Sequence, residues 1–293
     1  MLFLSILNKP LLAQSYFYND TYFDPVILLE SGIGMGVMNC MTDLGGKSVK
    51  SRPFLRDLHW ENSHPGISFY TTALYNYKIG FRIELTTGSI SAADSLSKDV
   101  SAFGKTRFDR NLHFHSSIKE AIAVFEIHPF SFLFTEQRNF ISPYLLCGIG
   151  LFHFEPKAKL NHQWYSLSEH HTEGQGFEQS KYPKPYAALQ WNFPLGGGLG
   201  FDLFAKGYLR IEFLYRFLLT DHLDDVSERY IDPEEFYRWL EPEQARIAIQ
   251  LSDRRIGANG SFAQGFRRGN NKKNDGYLSI QMKFGWILNR TKR

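Results

Sequence analysis

Histidines cluster in the middle of the chain and are its first candidates for metal chemistry. His113 and His115 are separated by one residue, so on a β-strand both side chains lie on the same face, at a spacing that can chelate a metal ion. More histidines follow at positions 153, 162, 170 and 171. Neither a carboxylate nor a cysteine stands beside the pair in sequence. We therefore predict histidines of a loop or a membrane interface, and no metal site.

An acidic run between positions 221 and 232 is the second candidate site. Its carboxylates offer the oxygen ligands that a hard cation prefers. The spacing is not that of an EF-hand, because the glycine hinge and the terminal bidentate glutamate are missing. The run therefore favours a structured external loop over a cation site; its members are Asp221, Asp224, Asp225, Glu228 and Asp232.

Glycine-rich stretches at 32–36, 148–150 and 196–200 raise the question of a phosphate-binding loop. A dinucleotide-binding motif needs a strand before its glycines and a helix after them, and no helical pattern follows these stretches. Glycines at alternate strand positions instead make room for bulky side chains or permit curvature. We therefore expect neither a nucleotide nor another cofactor.

Composition excludes several classes of protein. The net charge of +3, from 33 basic and 30 acidic residues, is too balanced for a nucleic-acid-binding protein. Two cysteines, Cys40 and Cys147, cannot build a disulfide scaffold or a cysteine-based zinc site, and whether Cys40 pairs with another chain stays open. No Ser/His/acid constellation stands out, so no residue pattern in the sequence marks the protein as an enzyme. A lipid-modifying barrel enzyme, with such residues at its lipid-facing rim, remains an alternative.

The first residues predict export from the cytoplasm. Residues 1–13 form a short apolar segment that ends in Ala13, as a signal peptide does before its cleavage site. Lys9 and Pro10 interrupt the segment, and a buried N-terminal strand is the alternative. With a signal peptide, the mature chain is a single domain over residues 14–293 that begins near Gln14.

Period-two alternation dominates the rest of the chain. Between residues 207 and 220, apolar side chains from Leu209 to Leu219 alternate with Arg210, Glu212 and Arg216, which predicts a strand with one apolar and one polar face. Aromatic residues make up 16% of the 293 residues, beside 24 glycines, which also favours β structure. Eight strands are predicted in this way, near residues 26–38, 65–76, 79–86, 112–128, 141–154, 184–200, 207–220 and 278–286.

The connections between these strands alternate between short and long. Short connections near 76–78, 129–140 and 201–206 alternate with long ones at about 40–64, 90–111, 155–183 and 221–275. This order is typical of an outer-membrane barrel, which has short periplasmic turns and long external loops. We predict an all-β, eight-stranded antiparallel transmembrane β-barrel. A soluble lipocalin-type barrel is the structural alternative, with an apolar lumen and mostly short connections.

The charged faces of the strands fit a narrow lumen better than they fit water. An eight-stranded barrel has an interior that side chains fill, and charges buried there must be paired. We predict an ion-pair network that plugs the lumen, formed by Glu30, Arg82, Glu84, Glu120, Glu126, Arg210, Glu212, Arg216 and Lys283. Aromatic residues near strand ends would form the interfacial girdles: Phe69, Tyr75, Tyr77, Phe152, Phe154 and Trp286.

One segment of the last long loop is predicted to be helical. Residues 233–253 follow Asp232, a suitable helix cap, and begin with Pro233 and two glutamates, which suit a first helical turn. Pro242 interrupts the segment. The pattern predicts a small helical insertion that caps the barrel mouth or docks a partner.

Several stretches resemble the PorG-type outer-membrane proteins of the type IX secretion system of Bacteroidota. The longest is SPYLLCGIGLFHFEPKAKL at 142–160, followed by QWYSL at 163–167 and TEGQG at 172–176. TDHLDDVSERYID at 220–232, NCMTDLGG at 39–46 and RNL at 110–112 also fit the family. Residues 233–275 have no counterpart. His113 and His115 stand where other polar residues are expected, which argues against a metal role for them.

This resemblance implies a function that periodicity cannot reveal. PorG-like proteins are non-enzymatic barrels that associate with a periplasmic ring, built from a PorK-like lipoprotein and its PorN-like partner, and help tie it to the outer membrane. They are not thought to be the secretion pore. Topology would place the ring contacts on the three short connections and on residues 14–25, while lipid and lipopolysaccharide surround the barrel. A surface-binding protein or adhesin that uses the long loops is a further alternative.

Overall fold

Strands make up most of the computed structural model, which describes residues 22–44, 60–96, 107–133, 141–178, 181–257 and 264–292. The predicted signal peptide, 1–13, lies outside these residues. The long strands are β2 (Ile27–Met41), β3 (His64–Tyr75), β4 (Ile79–Ala93), β5 (His113–Ile127), β6 (Ile141–Leu160), β8 (Leu189–Phe204), β9 (Gly207–Leu218) and β10 (Gly276–Ile287). Three short strands accompany them: β1 (Tyr22–Phe23), β7 (Gln163–Ser166) and β11 (Thr291–Lys292).

The eight long strands close into a barrel. Each pairs antiparallel with the next long strand along the chain, and β10 returns to pair with β2. The sheet therefore has no free long edge. The predicted eight-stranded antiparallel barrel is therefore confirmed. The short strands lie outside this ring, where β7 folds back on β6 and β1 pairs with β11.

Side chains alternate between the two faces of this barrel as an outer-membrane barrel requires. On β9, Ile211 and Phe217 are exposed, whereas Arg210, Glu212 and Arg216 between and beside them are buried. Apolar groups outside and charges inside are the reverse of a soluble barrel. Two hydroxyls on the apolar face, those of Ser31 and Thr71, hydrogen-bond to each other across 2.9 Å.

The barrel continues past the charged part of its lumen into an apolar interior at the long-loop end. Phe152 and Phe154 lie there, at most 1% exposed, in one cluster with Met38, Ile90 and Phe114. The prediction that Phe152 and Phe154 belong to an interfacial girdle is therefore wrong. They occupy inward positions of β6, which is six residues longer than predicted. Three other girdle candidates, Phe69, Tyr75 and Trp286, are exposed on the outside.

The described long loops form a cap over this end of the barrel. Leu44, Leu112, Leu167, Leu223 and Leu251, one or more from each long loop, pack into the same cluster as the upper lumen. The cap contains the helical insertion as two helices, α2 (Pro233–Trp239) and α3 (Pro242–Ser252), separated where Pro242 was predicted to interrupt it.

At the N-terminus of α2, the Asp232 side chain accepts a hydrogen bond from the backbone N–H of Glu234 at 3.0 Å. A third helix, α1 (Phe130–Leu133), lies in a short connection at the opposite end of the barrel. None of the helices among the described residues is both long and apolar enough to cross a membrane.

Candidate functional site: the lumen and the two ends of the barrel

The nine charged side chains predicted to face the lumen all lie inside the barrel. None of them is more than 4% exposed. They come from five of the eight long strands, so closure of the barrel brings together residues that are far apart in the chain. Seven of the nine form one chain of alternating charge: Glu30, Arg210, Glu126, Arg82, Glu212, Lys283 and Glu84.

Arg210 binds the first two carboxylates of this charge chain. Its Nε and Nη2 atoms lie 2.9 and 2.8 Å from the two carboxylate oxygens of Glu30, a bidentate contact. Its Nη1 atom lies 3.1 Å from Glu126 Oε2. The planar guanidinium suits this arrangement because it presents several donors in a fixed geometry.

Arg82 and Lys283 continue the charge chain across the barrel. Arg82 contacts Glu126, and its Nη1 atom lies 2.6 Å from Glu212 Oε2. Lys283 Nζ lies 2.7 Å from Glu212 Oε1 and 2.5 Å from Glu84 Oε2. Each of these two cations therefore neutralises two carboxylates.

The remaining pair, Arg216 and Glu120, lies nearer the long-loop end. Arg216 Nε and Nη2 lie 3.1 and 2.9 Å from the two Glu120 oxygens. Tyr277 and Asn192 each donate a further hydrogen bond to Glu120 at 2.7 Å. This carboxylate is fully hydrogen-bonded although it is buried.

Tyrosine hydroxyls compensate for the excess of carboxylates over cations in the lumen. Five carboxylates face four cations, and tyrosine hydroxyls donate to three of the five. The distances are 2.5 Å from Tyr70 to Glu30, 3.0 Å from Tyr144 to Glu212 and 2.7 Å from Tyr277 to Glu120. Sequence analysis missed these tyrosines as members of the network. Their even spacing from inward-facing residues such as Thr72 was the available signal.

Glycines make the room that these side chains need. A Cβ atom on Gly34 would lie 2.7 Å from Lys283 Cγ, and one on Gly32 would lie 2.8 Å from the Tyr70 ring. Both distances are shorter than side chains tolerate, so the glycine spacing in β2 serves lumen packing, as predicted.

The lumen arrangement closes the barrel. Ion pairs and tyrosines fill the interior at this level and are almost inaccessible to water, so no aqueous channel runs through the described part of the barrel. Removal of one partner would leave its counter-charge buried and unpaired, which is strongly unfavourable. The network therefore disfavours any strand register that would separate its charges.

The His113–His115 pair lies on the outside of β5. His113 Nε2 accepts a hydrogen bond from the Lys159 backbone N–H at 3.0 Å. The His115 ring packs between His64 and Trp164, with ring centroids 5.2 and 5.6 Å away. Within the described ranges, no group of three or more His, Cys, Asp or Glu side chains is arranged to hold a metal ion.

A serine, a histidine and an acid do come together on the outer face, as the enzyme alternative requires. Ser117 lies two residues from His115 on β5 and directly opposite Glu155 on β6. Glu155 instead forms an ion pair with Lys157 at 2.9 Å, while His115 packs against aromatic rings. Among the described hydrogen bonds, none links these three side chains. A nucleophile activated by a histidine needs such a bond.

The acidic run forms part of the cap. Asp224 accepts hydrogen bonds from the backbone N–H groups of Leu44 and Val226 at 3.2 and 2.9 Å. Asp225 accepts from Thr172, and from Tyr186 at 2.7 Å. These carboxylates thus connect separate long loops.

Several carboxylates of the cap have strongly raised pKa values. Burial, with the nearby charges of Asp43 and Asp224, raises the pKa of Asp221 to about 8. Burial and the Asp43 charge raise the pKa of Asp224 to about 7. Burial and its aspartate neighbours hold the pKa of Asp275 well above its usual range. Burial, together with the crowding of these carboxylates, accounts for all three shifts.

The other end of the barrel carries the short connections and both ends of the described chain. Asp24 pairs with Arg290 at 2.5 Å and accepts a hydrogen bond from Tyr77, while Arg290 donates to the Ala205 carbonyl at 2.5 Å. These contacts join the first and last strands to two turns. Residues 22–25, 76–78, 129–133 and 205–206 therefore share this end. Phe201–Phe204 of the predicted 201–206 turn belong to β8 instead, and 14–21 and 134–140 lie outside the described residues.

The two cysteines have different environments. Cys40 is buried, and its Sγ atom donates to the Ser91 carbonyl oxygen at 3.4 Å. Cys147 is exposed on the apolar outer face of β6. Neither forms a disulfide in this chain, and the burial of Cys40 argues against a bridge to another chain.

Comparisons with known proteins concern the fold alone. No protein-family model and no curated protein sequence matches the chain. One similar solved structure is Ail of Yersinia pestis, with 9% sequence identity, a TM-score of 0.34, and coverage of 90% of this chain and 97% of that chain. A second is the N-terminal β-barrel domain of Pseudomonas aeruginosa OprF, with 8% identity, a TM-score of 0.33, and coverage of 90% of this chain and 98% of that chain. A third is neisserial surface protein A, with 6% identity, a TM-score of 0.37, and coverage of 90% of this chain and 98% of that chain. Likeness at this level carries no functional argument, and the fold assignment rests on the strand pairing.

Proposed function

We propose that this chain is a non-enzymatic outer-membrane component of a type IX protein secretion system. In this role it would associate with a periplasmic ring of a PorK-like lipoprotein and its PorN-like partner and tie that ring to the outer membrane. The N-terminal signal peptide would export it, the long loops would face outward, and the short connections would face the periplasm.

The observation that carries the proposal is where the family-like stretches lie. Four of them, distant in sequence, meet in the cap: Asp224 accepts from Leu44, Asp225 accepts from Thr172, and Arg110 donates to the Asp43 carbonyl at 2.9 Å. Separate stretches that match one family and also contact one another are more informative than isolated matches. They support family membership, and the secretion role follows from membership.

The closed lumen agrees with a role other than that of the pore. Ion pairs and tyrosines occupy the interior of the eight-stranded barrel, which leaves no room for a folded substrate. A barrel of this kind can still anchor a partner through its periplasmic end. The joined termini and turns around Asp24 and Arg290 provide a rigid surface for that contact.

Co-purification tests the proposal directly. The tagged protein is extracted from envelopes in mild detergent, and the proteins that accompany it are identified by mass spectrometry. Recovery of the ring lipoprotein and its partner is expected. Replacement of residues 129–140 by a Gly/Ser turn should reduce that recovery, while a folded barrel persists by its heat-modifiable mobility in gels. A barrel recovered alone would contradict the secretion role and favour the surface-binding alternative.

A further inference from the structure

On three adjacent strands, the outward residues of the barrel change from chiefly apolar to polar and charged from one row to the next. From the short-turn end, β4, β5 and β6 each present four outward residues, chiefly apolar, in matching rows. The fourth row consists of Leu85, Ala121 and Leu151, and the fifth of Thr87, Lys119 and His153. Farther along, Ser117 lies opposite Glu155, and His115 lies opposite Lys157. The inward face becomes apolar at the same level, with Ile118 and Phe152 buried.

Strand geometry places this change at the edge of the membrane. Lys119 is eight residues from Ile127, which lies in the first apolar row of β5. That separation is about 26 Å along a strand, or about 20 Å along the axis of a barrel tilted as outer-membrane barrels are. The apolar band of such barrels is about 25 Å tall. The Lys119 backbone thus lies about 5 Å inside the edge of such a band, and the long side chain extends outward so that its ammonium reaches the lipid headgroups at the long-loop end.

Cationic side chains are concentrated on β5 and β6 from this level outward. The same row continues from Thr87 to Ile67 on β3, and from His153 to Leu189 on β8. Ile67 and Leu189 are both exposed and apolar. We call the group of Lys119, His153, Lys157 and Lys159 the cationic rim. Glu155 is an acidic residue on the same outward face of β6, and it pairs with Lys157 at 2.9 Å. Three lysines of the rim therefore accompany one acid, which leaves the group with a net positive charge.

We propose that the cationic rim binds the phosphate groups of lipid headgroups in the leaflet at the long-loop end. Lys119 and His153, directly opposite each other, would contact one phosphate. Lys157, about 13 Å farther along the strand, would contact a second phosphate.

This inference rests on the outer-membrane placement in the proposed function and not on the ring partners. Its test uses purified full-length protein in detergent, so its outcome is independent of co-purification. Native mass spectrometry measures the affinity for three probes: bisphosphorylated lipid A, dephosphorylated lipid A and phosphatidylglycerol. The variant is Lys119→Gln/Lys157→Gln. The matched control, Lys272→Gln/Lys273→Gln, removes the same charge from exposed residues of the cap.

Each lysine near an anionic lipid surface contributes roughly fivefold in affinity, so the rim variant should bind a phosphorylated lipid roughly 25-fold more weakly. The control should bind as the parent does. A loss for bisphosphorylated lipid A alone would identify lipid A as the source of the phosphates; a loss for phosphatidylglycerol would identify phospholipid. Equal binding by parent and rim variant, or equal binding of dephosphorylated and bisphosphorylated lipid A by the parent, would overturn the proposal. So would a parent that retains none of the probes.

Discussion

Arg82 is the residue on which the lumen network depends most. It contacts Glu126 and Glu212, is completely buried, and has the rings of Tyr70 and Tyr144 within 6 Å of its guanidinium carbon. Replacing it with methionine would keep the length of the side chain but leave two buried carboxylates without this cation. We expect Arg82→Met to lower the free energy of unfolding by about 3–5 kcal/mol. Urea unfolding of the protein in lipid vesicles, followed by tryptophan fluorescence, measures this change.

A surface arginine provides the matched control for that substitution. Arg246 pairs with Glu243 on α3, where both side chains are more than 60% exposed. Exposed pairs of this kind contribute little, so Arg246→Met should change the free energy of unfolding by less than about 0.5 kcal/mol. Similar effects of the two substitutions would contradict a stabilising lumen network.

At the scale of single residues, the sequence predicted which charges face inward but not which of them pair. Alternation along a strand decides whether Arg210 points into the lumen or away from it. Its partner Glu30 is 180 residues away in the chain. Only closure of the barrel brings the two together, and no local pattern contains that information. For the tyrosine donors, the spacing of Tyr70 from Thr72 indicated an inward position, but no local pattern indicated which carboxylate the hydroxyl would bind.

At the scale of the elements, strand positions were predictable and several strand ends were not. The predicted strand over 79–86 continues to Ala93, and that over 141–154 continues to Leu160. In both extensions the alternation inverts, since Ser89 and Ser91 face outward while Ile90 is buried. A strand that leaves the membrane has water outside and a protein core inside, so its pattern reverses while its backbone continues. A pattern of alternation with an apolar outer face therefore ends before the strand does.

The cap is the element whose stability should depend on pH. The pKa of Asp221 is raised from 3.8 to about 8, and that of Asp224 from 3.8 to about 7. The folded cap therefore binds protons that the unfolded cap releases above pH 3.8, and its stability falls as the pH rises from about 4 to about 8. Each such carboxyl changes the opening equilibrium by up to about tenfold per pH unit. Hydrogen exchange of the Val226 and Ser227 amides, corrected for intrinsic rates, measures the opening.

A neutral side chain at position 221 should reduce this pH dependence. Asp221→Asn retains an oxygen that accepts the Ser227 hydroxyl, which lies 2.8 Å away, and removes the titrating charge. The slope of the opening equilibrium against pH should decrease by up to one proton. Glu243→Gln, at an exposed position of α3, should leave the slope unchanged. If the parent shows no pH dependence between pH 5 and pH 8, the carboxylates are not protonated in the folded cap.

At the scale of the whole molecule, two parts close the interior of the barrel: the lumen network and the cap. Charged side chains seal the membrane level, and apolar residues such as Phe152 and Tyr277 fill the barrel above it, beneath the described loops. An ion that entered from either end would have to separate buried ion pairs such as Arg216–Glu120, which is strongly unfavourable. We therefore expect purified protein in a planar lipid bilayer to show no steady conductance, whereas a wide porin measured in parallel should conduct. Stable conductance steps that Arg82→Met abolishes or enlarges would place a water-filled path through this lumen and contradict its role as a plug. The absence of steps, together with co-purification of ring proteins, would fit a barrel whose role in secretion lies in its periplasmic contacts.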